Sequence, residues 1–308
     1  MRTVLCTLTI LIEFAWIQPL SVEASAAEIK DAEATTHGDE AASYQVIDTY
    51  EFPGFKIIQF DLAVLSHYSY MLVSGDECLV IDPGRDIFTY LETAKKEGVK
   101  ITGVWLTHSH ADFVAGHIEF AEQLGVPLRI SEKAQADYQH IALKENDTLE
   151  VGDAVLKFLE TPGHTPDSMC GLVASEKAPD KPLAMLTGDT LFIGSVGRPD
   201  LLGENMSAAT LASMMFDTWR KKLSKLPDDV MILPAHGAGS LCGAHLSDEP
   251  ASTIGQQRVR NAYLQHESRG EFVAAILEGL PEAPQYFAHN AATNRTGPEP
   301  VAWNPASL

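Results

Sequence analysis

Four short apolar runs in this chain each lead directly into a turn that carries histidine or aspartate. The turns are 107–112 (THSHAD), 161–166 (TPGHTP), 187–190 (TGDT) and 234–237 (PAHG). Apolar runs of this length, bounded by turn residues, are typical of buried strands. Because a rigid sheet fixes the side chains at its strand ends, while the turns stay open to small molecules, the pattern predicts a polar site at these ends.

The rest of the chain predicts the fold around these runs. Short β-rich runs cover 44–50, 56–62, 68–73, 78–81 and 101–106, and apolar residues at helical spacing cover 88–97 and 114–124. The second half adds strands near 154–159, 184–186 and 230–233 and a long helix over 208–226. The pattern predicts an α/β fold, an αββα sandwich of two mixed sheets flanked by helices.

The first 26 residues have the pattern of a secretory signal peptide. Arg2 is followed by the largely apolar stretch 4–20 and by Ala24-Ser25-Ala26, a small-x-small cleavage pattern. A membrane anchor is the alternative, but Glu13 interrupts the apolar run. We therefore expect an exported protein, periplasmic or secreted, with no stable membrane span once the signal is removed.

Residues 27–43 are acidic and lack an apolar period, which predicts a flexible leader. The domain then covers 44–308, with a C-terminal extension from about 251. The 42 acidic residues outnumber the 22 basic ones, which gives a net charge of −20. Because binding to phosphates requires clustered Lys and Arg, this charge argues against a nucleic-acid partner. The sequence does not reveal the oligomeric state, and a homodimer is one option.

Three cysteines remain after the signal, namely Cys78, Cys170 and Cys242. Their odd number, wide spacing and lack of a C-x-x-C pair predict neither a disulfide framework nor a cysteine zinc site. We interpret them as small buried side chains. The alternative is one disulfide between two of them, and the sequence does not say which two.

The four turns contain side chains that suit a metal ion. They combine the H-x-H-x-D pattern of 108–112 with His164, Asp189 and His236. Imidazole and carboxylate together suit zinc or ferrous iron. A single histidine at a strand end is usually structural, but four such turns in this order predict a metal site.

The motifs T-H-x-H-x-D, T-P-G-H-T, G-D-T-L-F and P-x-H-G resemble those of the metallo-β-lactamase superfamily, in its glyoxalase II-like branch. Longer stretches resemble more closely the persulfide dioxygenase (sulfur dioxygenase) family, in the form often fused to a rhodanese domain. They are HADFVAGH (110–117), TPGHTPDSMC (161–170), GDTLFIGSVGRPDL (188–201), LPAHGAGSLCG (233–243), STIGQQRVRN (252–261) and YFAHNAATNR (286–295). The resemblance covers residues 44 to about 300.

The resemblance implies the metallo-β-lactamase fold and one iron(II) ion held by His108, His164 and Asp189, with positions left for substrate and dioxygen. The family oxidises a persulfide, typically glutathione persulfide, to sulfite. The remaining polar side chains of the turns would orient ligands or water, or serve as alternative metal ligands with zinc; they are His110, Asp112 and His236.

One position departs from the two-metal pattern of the superfamily. Binuclear hydrolases carry H-x-H-x-D-H, and the final histidine binds the second metal. This chain has Phe113 there, which cannot be a ligand. We therefore expect one metal per chain.

A persulfide on a glutathione-like peptide needs partners for its carboxylates. Arg198 is the first candidate, because a guanidinium can bind a carboxylate through two hydrogen bonds. Tyr286, Asn290 and Arg295 in the C-terminal stretch are further candidates. For each arginine, the alternative is an ordinary ion pair.

Three functions stay open from the sequence. The first is a mononuclear iron persulfide dioxygenase that uses a small-molecule persulfide and dioxygen. The second is a zinc-dependent thioester hydrolase of the glyoxalase II type. The third is a non-catalytic, metal-stabilised binding protein. Because glutathione persulfide is chiefly intracellular, the predicted export leaves the natural substrate open.

Overall fold

The computed structural model describes residues 43–201 and 206–301. The predicted signal peptide and all but the last residue of the predicted leader lie outside these ranges and stay predictions. The strands are β1 (Gln45–Phe52), β2 (Phe55–Leu62), β3 (His67–Ser74), β4 (Glu77–Ile81), β5 (Lys100–Trp105), β6 (Leu128–Ser131), β7 (Ile141–Leu143), β8 (Thr148–Val151), β9 (Ala154–Glu160), β10 (Met169–Ser175), β11 (Ala184–Gly188), β12 (Met231–Pro234) and β13 (Ser252–Thr253). The helices are α1 (Phe88–Glu97), α2 (His117–Leu124), α3 (Ala208–Lys221), α4 (Ile254–Arg260), α5 (Arg269–Leu277) and α6 (Tyr286–Thr296). No helix in the described ranges is long and apolar enough to cross a bilayer.

The strands form two mixed sheets. Strands β1 to β7 lie side by side in chain order, antiparallel as far as β4 and parallel from β4 to β7. The second sheet has the order β13-β12-β11-β10-β9-β8, and only β11 and β12 run parallel. Helices α1 and α2 cover the first sheet, and α3 and α5 cover the second. The predicted αββα sandwich is confirmed.

The main core lies between the two sheets. In β9 the side chains of Ala154, Leu156 and Phe158 are fully buried in this core, while Val155 and Lys157 between them are more exposed. This alternation is what a strand with one inward face requires. From the first sheet, the Trp105 ring meets Phe158 edge to face, with ring centroids 5.0 Å apart.

Helix α2 begins at His117, three residues later than the predicted start at 114. The segment before it is held against the turn that follows β4. Ala115 forms a β-bridge with Gly84, and a side chain at Gly116 would collide with the Gly84 carbonyl. Because this long-range contact holds the backbone extended, the helix starts only after it.

The extension beyond 251 is part of the same packing. Strand β13 pairs with β12 at the edge of the second sheet, and α5 buries Phe272 and Ile276 against it. Helix α6 reaches the loop after β5 through Asn294, which is 1% exposed. Asn294 Nδ2 donates hydrogen bonds to the carbonyls of His110 (2.8 Å) and Phe113 (2.7 Å), and Oδ1 accepts one from the Ala115 N–H (2.8 Å). This one side chain therefore fixes the conformation of the loop.

We expect Asn294→Ala to lower the free energy of unfolding by about 3 kcal/mol, because it leaves three buried backbone groups without a partner. Chemical denaturation followed by circular dichroism measures the change. Thr293→Ala removes a single exposed hydrogen bond on the same helix and is the matched control. Equal stability of the two variants would contradict this role for Asn294.

Candidate metal centre

The four predicted turns meet at one end of the sandwich. The loop after β5 carries His108, His110 and Asp112, and His164 follows β9, Asp189 follows β11 and His236 follows β12. All six side chains are buried. The strand ends thus bring together residues that are up to 128 positions apart in the chain.

The potential metal-ligand atoms of three of these side chains converge on one position. Asp189 Oδ2 lies 3.8 Å from His108 Nε2 and 3.5 Å from His164 Nε2, and the three side chains can place one ligand atom each within 4.8 Å of the others. His108 Nε2 and Asp189 Oδ2 are buried and have no hydrogen-bond partner. A buried polar atom without a partner costs about 1–3 kcal/mol, so this arrangement fits a cation that all three would bind.

Hydrogen bonds fix the ring orientation of both histidines. His164 Nδ1 donates to the Arg198 carbonyl at 2.8 Å, which leaves Nε2 as the free nitrogen. His108 Nδ1 lies 3.0 Å from Thr107 Oγ1, whose proton goes to Asp82 Oδ2 at 2.8 Å. Because Thr107 donates to Asp82, it accepts from His108, and the His108 Nε2 lone pair faces Asp189. Burial lowers the pKa of both histidines, so both are neutral, as metal ligands must be.

His236 links two carboxylates. Its Nδ1 lies 2.8 Å from Asp189 Oδ1, and its Nε2 lies 2.8 Å from Asp112 Oδ2. Burial alone would lower the pKa of His236, but the two carboxylates outweigh it and raise the pKa to about 10. Burial likewise opposes ionisation of both aspartates, yet His236 holds the pKa of each below its usual value. The raised pKa favours an imidazolium that donates from both nitrogens, and the hydrogen bond to Oδ1 holds Asp189 in place.

His110 faces Asp82 rather than the three free atoms. Its Nε2 lies 2.9 Å from Asp82 Oδ1, though not in hydrogen-bond geometry, and its Nδ1 has no partner. Phe113 packs against the rings of His110 and His67, with ring centroids 4.6 Å and 4.2 Å apart. The phenyl ring therefore occupies the space beside His110 where the two-metal pattern has an imidazole.

Cys242 belongs to a second group of close donor atoms. Asp112, His236 and Cys242 each place a potential ligand atom within 4.8 Å of the other two. Burial raises the pKa of the Cys242 thiol well above its usual value. All three cysteines in the described ranges are buried and free. The prediction of small buried cysteines is confirmed, and the structure adds that Cys242 lies beside Asp112.

Two glycines allow the ligand loops to approach one another. Gly188 has a φ of 51°, and a side chain there would lie 2.6 Å from Thr107 Oγ1. A side chain at Gly197 would lie 2.1 Å from the Asp189 carbonyl oxygen and 2.9 Å from His164 Nδ1. Larger residues at either position would displace the groups that hold the ligands.

The predicted substrate-binding residues differ in solvent exposure and in their hydrogen-bond partners. Arg198 is 2% exposed, and its guanidinium binds Asp200 through two hydrogen bonds of 2.7 Å and 2.6 Å and donates to the Pro281 carbonyl. Arg198 thus forms the ion pair that the sequence offered as the alternative, and its role toward a substrate carboxylate stays a prediction. Tyr286 and Arg295 are exposed, and Asn290 is half-buried.

Sequence reasoning missed the groups that support the ligands. Asp82 directly follows β4, and a carboxylate at the end of an apolar strand was a usable signal. Thr107 precedes His108 directly and was not assigned a role. No local signal marks Asn294, which lies in the middle of a C-terminal helix.

Comparisons with known proteins agree with this geometry. The family model described as the metallo-β-lactamase superfamily matches residues 62–236. A hydroxyacylglutathione hydrolase of a Polaromonas species, the glyoxalase II type, is 31% identical over 71% of this chain and 88% of its own length.

Two solved structures share the fold. A metallo-beta-lactamase from Staphylococcus aureus has a TM-score of 0.75 and 32% identity, over 82% of this chain and 75% of its own. ETHE1 from Myxococcus xanthus has a TM-score of 0.67 and 24% identity, over 78% of this chain and 97% of its own. Fold, ligand turns and family model agree, and the chain belongs to the metallo-β-lactamase superfamily of metal-dependent enzymes.

Proposed function

We propose that this protein is a mononuclear non-haem iron dioxygenase that oxidises a glutathione persulfide-like substrate to sulfite. The observation that carries the proposal is the donor set of two imidazoles and one carboxylate, with His108 Nε2 and Asp189 Oδ2 buried and unpaired. Two histidines and one carboxylate are the ligand set of non-haem iron oxygenases. The reaction balances as RSSH + O₂ + H₂O → RSH + SO₃²⁻ + 2H⁺.

His108, His164 and Asp189 would hold the metal. When bound, iron supplies the redox chemistry that activates dioxygen. The protein's own contribution is to immobilise the three ligand side chains and to shield them from water. Burial excludes water, and His236 occupies the second oxygen of Asp189 so that only Oδ2 is left. Positioning of this kind is what the protein adds to chemistry carried by a cofactor.

Support for one metal rather than two comes from Phe113 and His236. The phenyl ring removes one imidazole from the second group, and both His236 nitrogens are engaged by carboxylates. The other member of that group is the Cys242 thiol, whose burial raises its pKa and so disfavours the thiolate in the metal-free protein.

A zinc-dependent thioester hydrolase is the second candidate. Two observations favour it, namely the Polaromonas relative named a hydroxyacylglutathione hydrolase and the second donor group with Asp112. In this case the metal would be zinc, and His110 or Asp112 would orient the attacking water. The third candidate, a non-catalytic binding protein, predicts that ligand variants lose stability but keep the biological role.

Protein purified without oxygen and loaded with iron is expected to consume dioxygen with glutathione persulfide and release sulfite in equal amount. An oxygen electrode and a sulfite assay measure both. The control is the zinc-loaded protein with a glutathione thioester. An iron-loaded protein that consumes no oxygen, combined with thioester cleavage by the zinc form, would favour the hydrolase instead.

Metal analysis is expected to give about one metal ion per wild-type chain and close to none in His164→Ala. The histidine control is His266→Ala, which lies outside the four turns. Phe113→His places an imidazole beside Asp112, and we expect it to raise the zinc content to about two ions per chain. Two ions in the wild type would contradict the single-metal site.

Thr107→Val keeps the shape of the side chain and removes the hydroxyl between His108 and Asp82. We expect metal affinity to fall about 10–100-fold, because the His108 ring loses the group that orients it. Competition with a chelator measures the affinity. Thr107→Ser keeps the hydroxyl and is expected to restore wild-type affinity, and an equal loss in both variants would rule out the orienting role.

A further inference from the structure

A cavity of about 530 Å³ is lined by residues of α1 and α2, the two helices that cover the first sheet. We call it the α1–α2 cavity. It shares no described lining residue with the α6 cavity, a space of about 660 Å³ that residues 288, 291, 292 and 295 of α6 line. Pockets of roughly 300–1,000 Å³ are typical of sites for small molecules. Among the described residues, none of the four metal turns lines the α1–α2 cavity, so a ligand here is distinct from a substrate of the metal centre.

One side of the α1–α2 cavity is apolar. It is formed by the start of α1 and by the end of the described range, and its members are Ile87, Phe88, Leu91, Pro300 and Val301. Ile87 is buried in the core beneath α1, and the half-buried Leu91 packs against that core. This wall suits the apolar body of a small ligand, such as a ring or a short alkyl chain.

The other side carries a buried carboxylate with one unused oxygen. Glu119 lies in the first turn of α2, and its side chain is only 2% exposed. Its Oε1 accepts a hydrogen bond from Arg85 Nε at 2.8 Å and lies 2.7 Å from Arg85 Nη2. Its Oε2 is buried and has no hydrogen-bond partner among the described residues. Because an unpaired buried polar atom costs about 1–3 kcal/mol, this oxygen fits a donor that a ligand supplies.

The charge of the lining favours a cation as that donor. Glu122, exposed three residues later on α2, adds a second carboxylate, and Arg85 is the one basic residue of the described lining. Arg85 is already engaged by Glu119 and by the carbonyl of Glu299. One positive and two negative charges give the described lining a net charge of −1. An ammonium group has three N–H donors and no acceptor, which matches an unpaired carboxylate oxygen in acidic surroundings.

We propose that the α1–α2 cavity binds a small primary amine with an apolar body, such as an arylalkylamine. The ammonium group binds Glu119 Oε2, and the apolar body lies against Ile87, Leu91 and Val301. This site goes beyond the proposed function and does not depend on it, because the same cavity accompanies the metal centre of a dioxygenase or of a hydrolase.

Isothermal titration calorimetry on the full chain, with and without metal, tests the site. Phenethylamine is the probe, and 2-phenylethanol is its uncharged counterpart. We expect the amine to bind and the alcohol to bind at least about tenfold more weakly, because the alcohol lacks the charge-assisted hydrogen bond. The Kd of the amine is expected to be the same in both preparations, since no metal turn contributes to the described lining.

Glu119→Gln keeps the shape of the side chain and removes its charge, and we expect it to raise the Kd of the amine about tenfold. Glu92→Gln removes an exposed charge of α1 outside the described lining and is expected to leave the Kd unchanged. Because Glu119→Gln also weakens the pair with Arg85, Leu91→Trp provides a second test. It fills the cavity from a half-buried position and is expected to abolish binding, and thermal unfolding shows that each variant keeps the fold.

The site is overturned if the amine does not bind or if the alcohol binds as tightly as the amine. Loss of binding when the metal is removed also overturns it, because the amine would then be bound at the metal centre. A folded Glu119→Gln or Leu91→Trp protein that binds the amine like the wild type has the same consequence. Oxygen uptake and thioester cleavage are not part of this measurement, so failure of the proposed function and failure of the amine site are told apart.

Discussion

The hydrogen-bonded bridge from Asp189 through His236 to Asp112 ties the two sheets together. Asp112 follows β5 of the first sheet, whereas Asp189 and His236 follow β11 and β12 of the second. A buried charge is stable only when it is paired and hydrogen-bonded, and each of these three charges is paired within the bridge. The same contacts that hold the sheet ends at a fixed distance also aim Asp189 Oδ2 at His108 and His164.

The architecture and the metal turns could be predicted because they are encoded locally. Apolar runs bounded by turn residues identify strands, and helix α1 was predicted with the bounds that the structure shows. Polar residues at strand ends appear in the sequence next to the strands that hold them. Residues as far apart as His108 and His236 could be assigned to one site because buried strands of one sandwich end at a shared edge.

The supporting contacts could not be predicted because they join residues that are distant in the chain. Asn294 bonds to backbone groups about 180 residues earlier, and Arg198 donates to the Pro281 carbonyl of the C-terminal extension, 83 residues later. The composition of Arg198-Pro199-Asp200 gave no indication that the guanidinium would turn back on its own loop. Cys242 lies beside Asp112 only because the loop after β12 folds across the strand ends. Such contacts depend on tertiary packing, which local sequence patterns do not reveal.

Two faces of helix α6 have different surroundings. Its anchor, Asn294, faces the metal loop, while the residues that line the α6 cavity lie on another face. Substitutions on the face that lines the cavity therefore leave the Asn294 hydrogen bonds to the backbone around His110 in place. Evolutionary drift along this outer face is accordingly decoupled from the geometry of the loop beneath the helix.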